Sequence, residues 1–237
     1  MISKRSFVGI IVNVVIVSVL VTIALVGIGG GEVVAVSGNT AIYRGNDRNP
    51  NVSLMFNVYW GTEYVEDILK TLDAFDVKTT FFVGGSWVAK NTEVFKSIVD
   101  SGHEIGSHGY SHKDGEGLSY SQNVDEIMLT EKLLIELTGK KPTLFAPPSG
   151  SIGSNLFRAC QDNNYAVIMW SRDTIDWRDK DCNTVIKRAT SDIQNGELIL
   201  MHPTAHTLKA LPKVIGELKA KGFKITMVSE VIAPSKV

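Results

Sequence analysis

Residues 101–112 read SGHEIGSHGYSH, and this stretch decides the fold. Its first part, residues 103–107, predicts a short β-strand that follows a helix stop at Gly102. His108 and His112 come directly after that strand, four residues apart, which predicts both imidazoles on one side of a helical turn. A lone histidine is more often a solvated or core residue. Two at the mouth of a sheet suit one divalent cation, with zinc–nitrogen distances of about 2.0–2.1 Å.

Strand-like and helix-like segments alternate on both sides of this stretch. Short β-branched or aromatic runs predict strands, and apolar residues at helical spacing predict helices. The predicted strands cover residues 53–58, 78–83, 103–107, 143–146, 166–170, 198–201 and 224–226. The predicted helices cover residues 63–75, 92–101, 121–138, 154–163, 183–193 and 209–221. This alternation, without an internal repeat, predicts an α/β domain with a mainly parallel sheet, either open or closed into a barrel.

In both architectures the functional residues lie at the carboxyl ends of the strands. Polar and turn-forming residues lie at or after the carboxyl ends of five predicted strands: Asn57, the pair His108 and His112, Pro147 with Ser149, the pair Asp173 and Asp176, and His202. Imidazoles and carboxylates in this pattern favour hydrolysis assisted by a metal ion, which polarises a carbonyl and activates water.

One histidine is a candidate general acid for such a reaction, and two aspartates are candidate partners for it. His202 is suited to protonate a leaving amine, and Asp173 or Asp176 is suited to hold its ring in one tautomer. Helix capping and loop turns are the alternative roles for the two aspartates.

The N-terminal segment has a different character. Residues 7–28 carry no charge and follow Lys4 and Arg5. At about 1.5 Å per residue, this run can cross a hydrocarbon core of about 30 Å. We expect residues 1–6 in the cytoplasm, residues 7–29 as a single-pass anchor in the cell membrane, residues 30–50 as a linker, and an extracytoplasmic domain over residues 51–237. A cleaved signal peptide and a secreted domain are the alternative.

Charge and cysteine content argue against a nucleic-acid-binding protein and against a domain built on a disulfide framework. The formal net charge is −1, so no basic excess points to a nucleic-acid partner. Two cysteines are too few for a disulfide framework. Cys160 shares a predicted helix face with Leu156 and Phe157, which indicates a buried thiol, whereas Cys182 falls in a predicted polar loop. A bridge between the two cysteines is the alternative.

Six segments together resemble the polysaccharide deacetylases with a NodB-homology domain, carbohydrate esterase family 4. They are LMFNVYWG (54–61), TTFFVGGSWV (79–88), SGHEIGSHGYSH (101–112), FAPPSG (145–150), WSRDTIDW (170–177) and LILMHP (198–203). The resemblance runs from residue 52 to residue 232. The first segment and the predicted anchor look closest to the sporulation-associated, membrane-anchored branch.

The resemblance implies a distorted (β/α) barrel of the deacetylase type, here preceded by one transmembrane helix. It implies removal of acetyl groups from N-acetylated sugars of peptidoglycan or chitin-like polysaccharide. It implies zinc or another divalent metal, held by His108, His112 and an Asp.

The resemblance also assigns roles around the metal. His202 would be the general acid, with Asp176 favoured over Asp173 as its carboxylate partner. The backbone N–H of Ser149 would stabilise an oxyanion. The other groove residues would be Pro147, Trp177, Trp60 and Tyr110. Ordinary core packing is the alternative for the two tryptophans.

This sequence departs from the family at three positions. The first family motif, T-F-D-D-G, carries the general base and a metal ligand in its two Asp, but here Asn57 and Val58 stand at those positions. Ala146 stands where the family has an Arg that positions the base. An Arg without its carboxylate partner would be an unpaired cation in a cleft, so the losses are mutually consistent. Asn57, Tyr59 and Asp114 are the remaining candidate oxygen ligands nearby.

Three functions fit this pattern. The first is N-deacetylation by a rearranged base, because loss of a general base typically costs about 10²–10⁴-fold in rate and leaves a slow enzyme. The second is a catalytically impaired glycan-binding or sporulation factor, with the metal weakly held or absent. The third is amide hydrolysis on a substrate other than a glycan.

Overall fold

The computed structural model describes residues 40–234. Its strands are β1 Asn51–Val58, β2 Thr80–Val83, β3 Glu104–Ser107, β4 Leu144–Phe145, β5 Ala166–Val167, β6 Arg172–Asp173, β7 Leu198–Met201 and β8 Lys224–Ile225. Its α-helices are α1 Thr62–Ala74, α2 Gly85–Lys90, α3 Thr92–Asp100, α4 Tyr120–Thr138, α5 Ser154–Asp162, α6 Cys182–Thr190, α7 Ala205–Ala220 and α8 Val228–Ile232. Two short 3₁₀ helices cover Gly115–Gly117 and Pro148–Gly150.

The strands form one parallel sheet in the order β5-β4-β3-β2-β1-β7-β6, and β8 adds to β1. The strands at its two ends, β5 and β6, share no ladder within the described residues. The sheet is therefore a curled half-barrel. The predicted parallel α/β architecture is confirmed, and the sheet does not close completely.

The central strand separates two apolar layers. Phe56 of β1 and Phe81 of β2 stack at 5.0 Å between their ring centroids, in the cluster that the helices cover. Met55 and Phe82, each one residue away along its strand, belong to a second cluster inside the curl. Because successive strand residues point to opposite faces, Asn57 shares the inner face with Met55. A sheet covered on both faces explains the nearly continuous apolar runs.

Most predicted elements lie within a few residues of the observed ones, with several differences. Helix α7 begins four residues earlier than predicted, because the Thr204 hydroxyl caps it by accepting a hydrogen bond from the Thr207 N–H. Strand β5 is shorter than predicted, since it pairs only with the two residues of β4. The sequence pattern does not predict β6, α2 and α8, which are two to six residues long.

The last part of the predicted linker lies against the domain. Ile42 pairs with Ile168, and Arg44 pairs with Glu197 both through the backbone and through a 2.6 Å ion pair. Residues 7–29, predicted as the membrane anchor, lie outside the described residues. Within residues 40–234, no helix is both long enough and apolar enough to cross a membrane.

The two cysteines are free. Cys160 is buried on α5, as predicted, and burial raises the pKa of its thiol to about 12. The prediction of a loop at Cys182 was wrong, because this residue opens α6, which Asp181 caps through its side chain.

Candidate active site

The candidate site lies at the carboxyl ends of neighbouring strands. Phe56 of β1 is in register with Met201, the last residue of β7, so Asn57 near the end of β1 is level with His202 directly after β7. On the other side of β1, Val58 is in register with Val83, and Val83 with Ser107. His108 therefore begins the loop after β3, two strands away from Asn57. The sheet brings three of the predicted strand ends to one edge.

His108 is buried and held in one tautomer. Its Nδ1 lies 2.7 Å from the carbonyl oxygen of Ala146, and since a carbonyl only accepts, Nδ1 carries the proton. Burial, with a further contribution from His112, lowers the pKa of His108 to about 3. The ring is therefore neutral at physiological pH, with Nε2 as its lone-pair nitrogen.

His112 lies beside His108, but not on a helical turn. The ring centroids are 5.0 Å apart and the rings are nearly perpendicular. Residues 108–114 form a loop in which Gly109 and His112 take positive φ values of 69° and 56°. The predicted helical turn was wrong, yet the two imidazoles are neighbours. Burial lowers the pKa of His112, and the nearby Asp114 carboxylate opposes that shift.

A residue outside the recognised motifs holds this loop. Glu126 of α4 is buried, and its Oε2 accepts hydrogen bonds from the backbone N–H groups of Tyr110 at 2.8 Å and Ser111 at 2.6 Å. Lys113 approaches the other oxygen at 3.5 Å. No sequence signal marks Glu126, because its partners are backbone groups 15 and 16 residues away.

Neutral side chains occupy the three positions at which the sequence departs from the family it resembles. Asn57 is 5% exposed, and its Oδ1 is buried without a hydrogen-bond partner among the described residues. Val58 is fully buried and belongs to the apolar cluster under the helices. Ala146 is also fully buried, and it contributes only its carbonyl, to His108.

These residues do not fit the three protein ligands that catalytic zinc usually has. Two neighbouring imidazoles are present, but the aliphatic side chain of Val58 stands where the family has a carboxylate. Tyr59 is engaged elsewhere, since its hydroxyl donates to the Ser111 carbonyl at 3.3 Å. Among residues 40–234, no group of three His, Cys, Asp or Glu side chains is arranged to hold a metal ion. We therefore derive no chemical step through a metal.

His202 and Asp176 are joined by two hydrogen bonds. His202 Nδ1 lies 2.8 Å from Asp176 Oδ1, and the His202 backbone N–H donates to Asp176 Oδ2 at 2.7 Å. The Thr207 hydroxyl donates to the same Oδ2 at 2.6 Å, and His206 Nε2 contacts the Asp176 carbonyl. Neither Thr207 nor His206 was anticipated from the sequence, because both lie on α7 rather than at a strand end.

Asp173 occupies a different position. Its Oδ1 accepts a hydrogen bond from the Ile175 N–H at 2.7 Å, which stabilises the turn in which Ile175 has a positive φ of 50°. Burial raises the pKa of the Asp173 carboxyl. Of the two aspartates, Asp176 is the one that contacts the His202 ring.

The tryptophans lie at the rim rather than in the core. Trp60 is 42% exposed, and its ring stacks on His202 with centroids 5.6 Å apart and planes 6° apart. Trp177 is 53% exposed and carries Arg178 over its ring. The alternative of ordinary core packing is therefore wrong for both. Exposed aromatic faces beside polar groups are suited to sugar rings.

The remaining groove candidates differ in how far they are exposed to solvent. Ser149 is exposed, with a positive φ of 56° that side-chain-bearing residues rarely adopt, within the 3₁₀ helix Pro148–Gly150. Pro147, the residue directly before this 3₁₀ helix, is buried. Tyr110 is half-buried, and its ring packs so closely on Gly85 of α2 that a Cβ there would lie 2.4 Å from it.

The chain is similar in sequence to known proteins. The sequence profile described as Polysaccharide deacetylase matches residues 44–168. The uncharacterized protein YlxY of Bacillus subtilis is 37% identical over 83% of this chain and 61% of its own length, so this chain spans less than two thirds of that relative. A peptidoglycan-N-acetylglucosamine deacetylase of Bacillus cereus is 31% identical over 82% of this chain and 72% of its own.

Solved structures add a second comparison. The crystal structure of a pseudoenzyme of carbohydrate esterase family 4 from Bacillus anthracis is 37% identical, with a TM-score of 0.81, and covers 84% of this chain and 71% of that one. A mutant of that pseudoenzyme, described as having restored enzymatic activity, has a TM-score of 0.81 at 36% identity, over 84% of this chain and 74% of the mutant.

Proposed function

Because this chain belongs to the polysaccharide deacetylase family, a family of hydrolases of carbon–nitrogen bonds, we propose that it is a catalytically impaired member that binds N-acetylated cell-wall glycan in the inherited groove. One observation carries the proposal. The position of the family's base is Asn57, a neutral amide whose buried oxygen has no partner among the described residues.

Three neighbouring replacements act in the same direction. Without a carboxylate at residue 57, nothing is available there to take a proton from an attacking water. Without a carboxylate at residue 58, the two imidazoles lack the third ligand that catalytic zinc usually has. Ala146 in place of Arg leaves no buried cation without a partner. The site is self-consistent as a neutral pocket, which supports loss of the reaction rather than random damage.

The groove keeps the groups that would bind a sugar. Trp60 and Trp177 present aromatic surface, and His202 is held by a fully buried carboxylate. The Bacillus cereus relative is described as acting on peptidoglycan N-acetylglucosamine, and the Bacillus anthracis neighbour as a pseudoenzyme. The first description supports an N-acetylated polysaccharide as the ligand, and the second supports a much reduced rate of hydrolysis.

We also propose the cellular setting. Residues 7–29 anchor the chain in the membrane, and the domain lies on the outer side, where peptidoglycan is found. The support is the uncharged run after Lys4 and Arg5. A role in sporulation is proposed on the form of the first motif.

The decisive experiment measures zinc content, acetate release from N-acetylglucosamine oligomers, and binding of the same oligomers by calorimetry. It compares the unmodified chain with Asn57→Asp/Val58→Asp and with the triple variant that adds Ala146→Arg. We expect the unmodified chain to bind oligomers and release no acetate above background. We expect at least one variant to gain zinc and acetate release, because it regains the base and the third ligand.

Two results would contradict the proposal. Stoichiometric zinc together with acetate release by the unmodified chain would establish an enzyme with a rearranged base. Absence of oligomer binding by a folded chain would remove the glycan role and favour a different ligand. Circular dichroism of each variant shows whether a carboxylate at residue 58, inside an apolar cluster, still permits folding.

A further inference from the structure

Helix α4 buries polar side chains beside the apolar residues Ile127 and Leu134. Polar residues on its buried face include Asn123, Glu126, Thr130 and Glu131. Each is satisfied: Asn123 donates to the Gly115 carbonyl, Thr130 to the Glu126 carbonyl, and Glu131 accepts from the Tyr165 hydroxyl. Because polar residues take up part of the buried face, some apolar residues of this helix face outward.

Large apolar side chains occupy the exposed face of α4. Met128 is 37% exposed, Leu129 52% and Ile135 39%. The two rim tryptophans and Tyr43 are the other large exposed apolar residues among those described. A helix that is apolar on its outer face typically has a partner there.

Charged residues flank this apolar centre with opposite signs. Asp125 lies three residues before Met128, and Lys132 lies three residues after Leu129. Both are exposed, and neither forms an ion pair within the described part of the chain. The midpoint between Asp125 and Lys132 is also the midpoint between Met128 and Leu129.

The positions of the exposed residues between 121 and 136 are symmetric about that midpoint. An antiparallel two-fold contact would pair Met128 with Leu129 of a second copy, Asp125 with Lys132, and Gln122 with Ile135. The residues of α4 from 121 to 136 that are exposed form four such pairs: 121 with 136, 122 with 135, 125 with 132, and 128 with 129. A two-fold interface requires this self-complementarity, since the same surface serves both copies.

We propose that two copies of this chain associate through the outer face of α4, with the two helices antiparallel and the axis between Met128 and Leu129. The apolar centre supplies the buried surface, and the two Asp125–Lys132 pairs set the register. The contact is separate from the groove, because the opposite face of α4 is the one that holds the loop of His112 through Glu126. Two grooves would then be carried by one dimer, and a repetitive glycan could engage both.

A charge-exchange series tests the register. The full-length chain in detergent is compared with Asp125→Lys, Lys132→Asp and the double variant by sedimentation at up to about 100 μM, where a micromolar association is complete. Each single variant places like charges at both contacts, and we expect the dissociation constant of the dimer to rise at least about tenfold. The double variant restores opposite charges, and we expect it to return to within about threefold of the unmodified chain.

Other modes of association are distinguished by the same series. A dimer formed through residues 7–29 would be insensitive to all three variants, and this result would overturn the proposal. A monomer at the highest concentration would overturn it as well. Because both substituted residues are exposed on the surface, circular dichroism is expected to be unchanged.

Cysteine cross-linking tests the position of the axis. In the proposed dimer, residue 129 and its copy are displaced by about 1.5 Å along the helices, whereas residue 121 and its copy are about 22 Å apart. Leu129→Cys should therefore form a disulfide-linked dimer on mild oxidation, and Ser121→Cys, on the same face, should not exceed the unmodified chain. Equal cross-linking of the two variants would contradict the axis. A monomeric Leu129→Cys whose thiol reacts slowly with a soluble maleimide would indicate that another segment of the same chain covers α4, and would overturn the proposal.

Discussion

His202 and Asp176 are joined twice, once through the imidazole Nδ1 at 2.8 Å and once through the backbone N–H of His202 at 2.7 Å. The Asp176 carboxylate is fully buried, and its third hydrogen bond comes from the Thr207 hydroxyl. The pair is thus a fixed unit at the end of β7, in a site that also contains the neutral Asn57. A buried carboxylate with three donors has a structural role even where no reaction occurs.

Asp176→Asn should destabilise the domain by about 2–4 kcal/mol, because an amide group replaces one acceptor oxygen and then faces a donor. Thr207→Val removes one of the three hydrogen bonds and should cost about 1 kcal/mol. Urea unfolding of both variants measures these differences. A smaller loss for Asp176→Asn than for Thr207→Val would show that the carboxylate is not the centre of this network.

Trp60→Ala should weaken binding of N-acetylglucosamine oligomers by about tenfold, because its exposed ring is the aromatic surface next to His202. Tyr43→Ala is the matched control. Tyr43 is another exposed aromatic residue, and its neighbour Arg44 pairs with Glu197 at the opposite end of β7 from His202. Calorimetry with the same oligomer should give an unchanged affinity for the control. Equal losses in the two variants would remove Trp60 from the glycan site.

Glu126→Leu should release the loop that carries His112, because it removes the acceptor of the Tyr110 and Ser111 N–H groups. Glu126→Gln keeps an oxygen acceptor and loses only the charge near Lys113, so its effect should be small. Hydrogen exchange of the two amides, followed by NMR, should accelerate strongly in the leucine variant. Unchanged exchange there would mean that the loop is held by other contacts.

The stability of the domain should fall as the pH is lowered from about 6.5 to about 4, partly through His103. Burial, with the Lys78 charge adding to it, lowers the pKa of His103 to about 4 in the folded chain, while the Asp73 charge acts in the opposite direction. The unfolded chain therefore binds a proton in this window that the folded chain does not, and the free energy of unfolding decreases by up to about 3 kcal/mol.

His103→Asn isolates this contribution, because its side-chain oxygen can still accept from the Thr79 N–H but does not titrate. Urea unfolding at pH 7 and pH 4.5 should show a smaller pH effect in the variant. Part of the effect should remain, since burial also lowers the pKa of His108. An equal pH effect in the variant and the unmodified chain would contradict the role of His103.

Much of the architecture follows from local patterns. The alternation of apolar runs and amphipathic segments predicts the parallel sheet, because strand and helix periods are visible within ten or so residues. The same patterns predict which polar residues share one edge, since parallel strands end on the same side. The replacement of the family's residues by Asn57, Val58 and Ala146 is read directly from the sequence.

The sequence by itself therefore determined the fold class, the edge that carries the site and the groups missing from it. Only the tertiary structure decided that Asp176 contacts His202, that Glu126 holds the His112 loop, and that α4 exposes apolar side chains around Met128 and Leu129. These contacts join residues 15 to 26 positions apart, and they depend on the curvature of the sheet and the rotation of each helix against it. Such quantities arise from packing of the whole chain, and no local periodicity contains them.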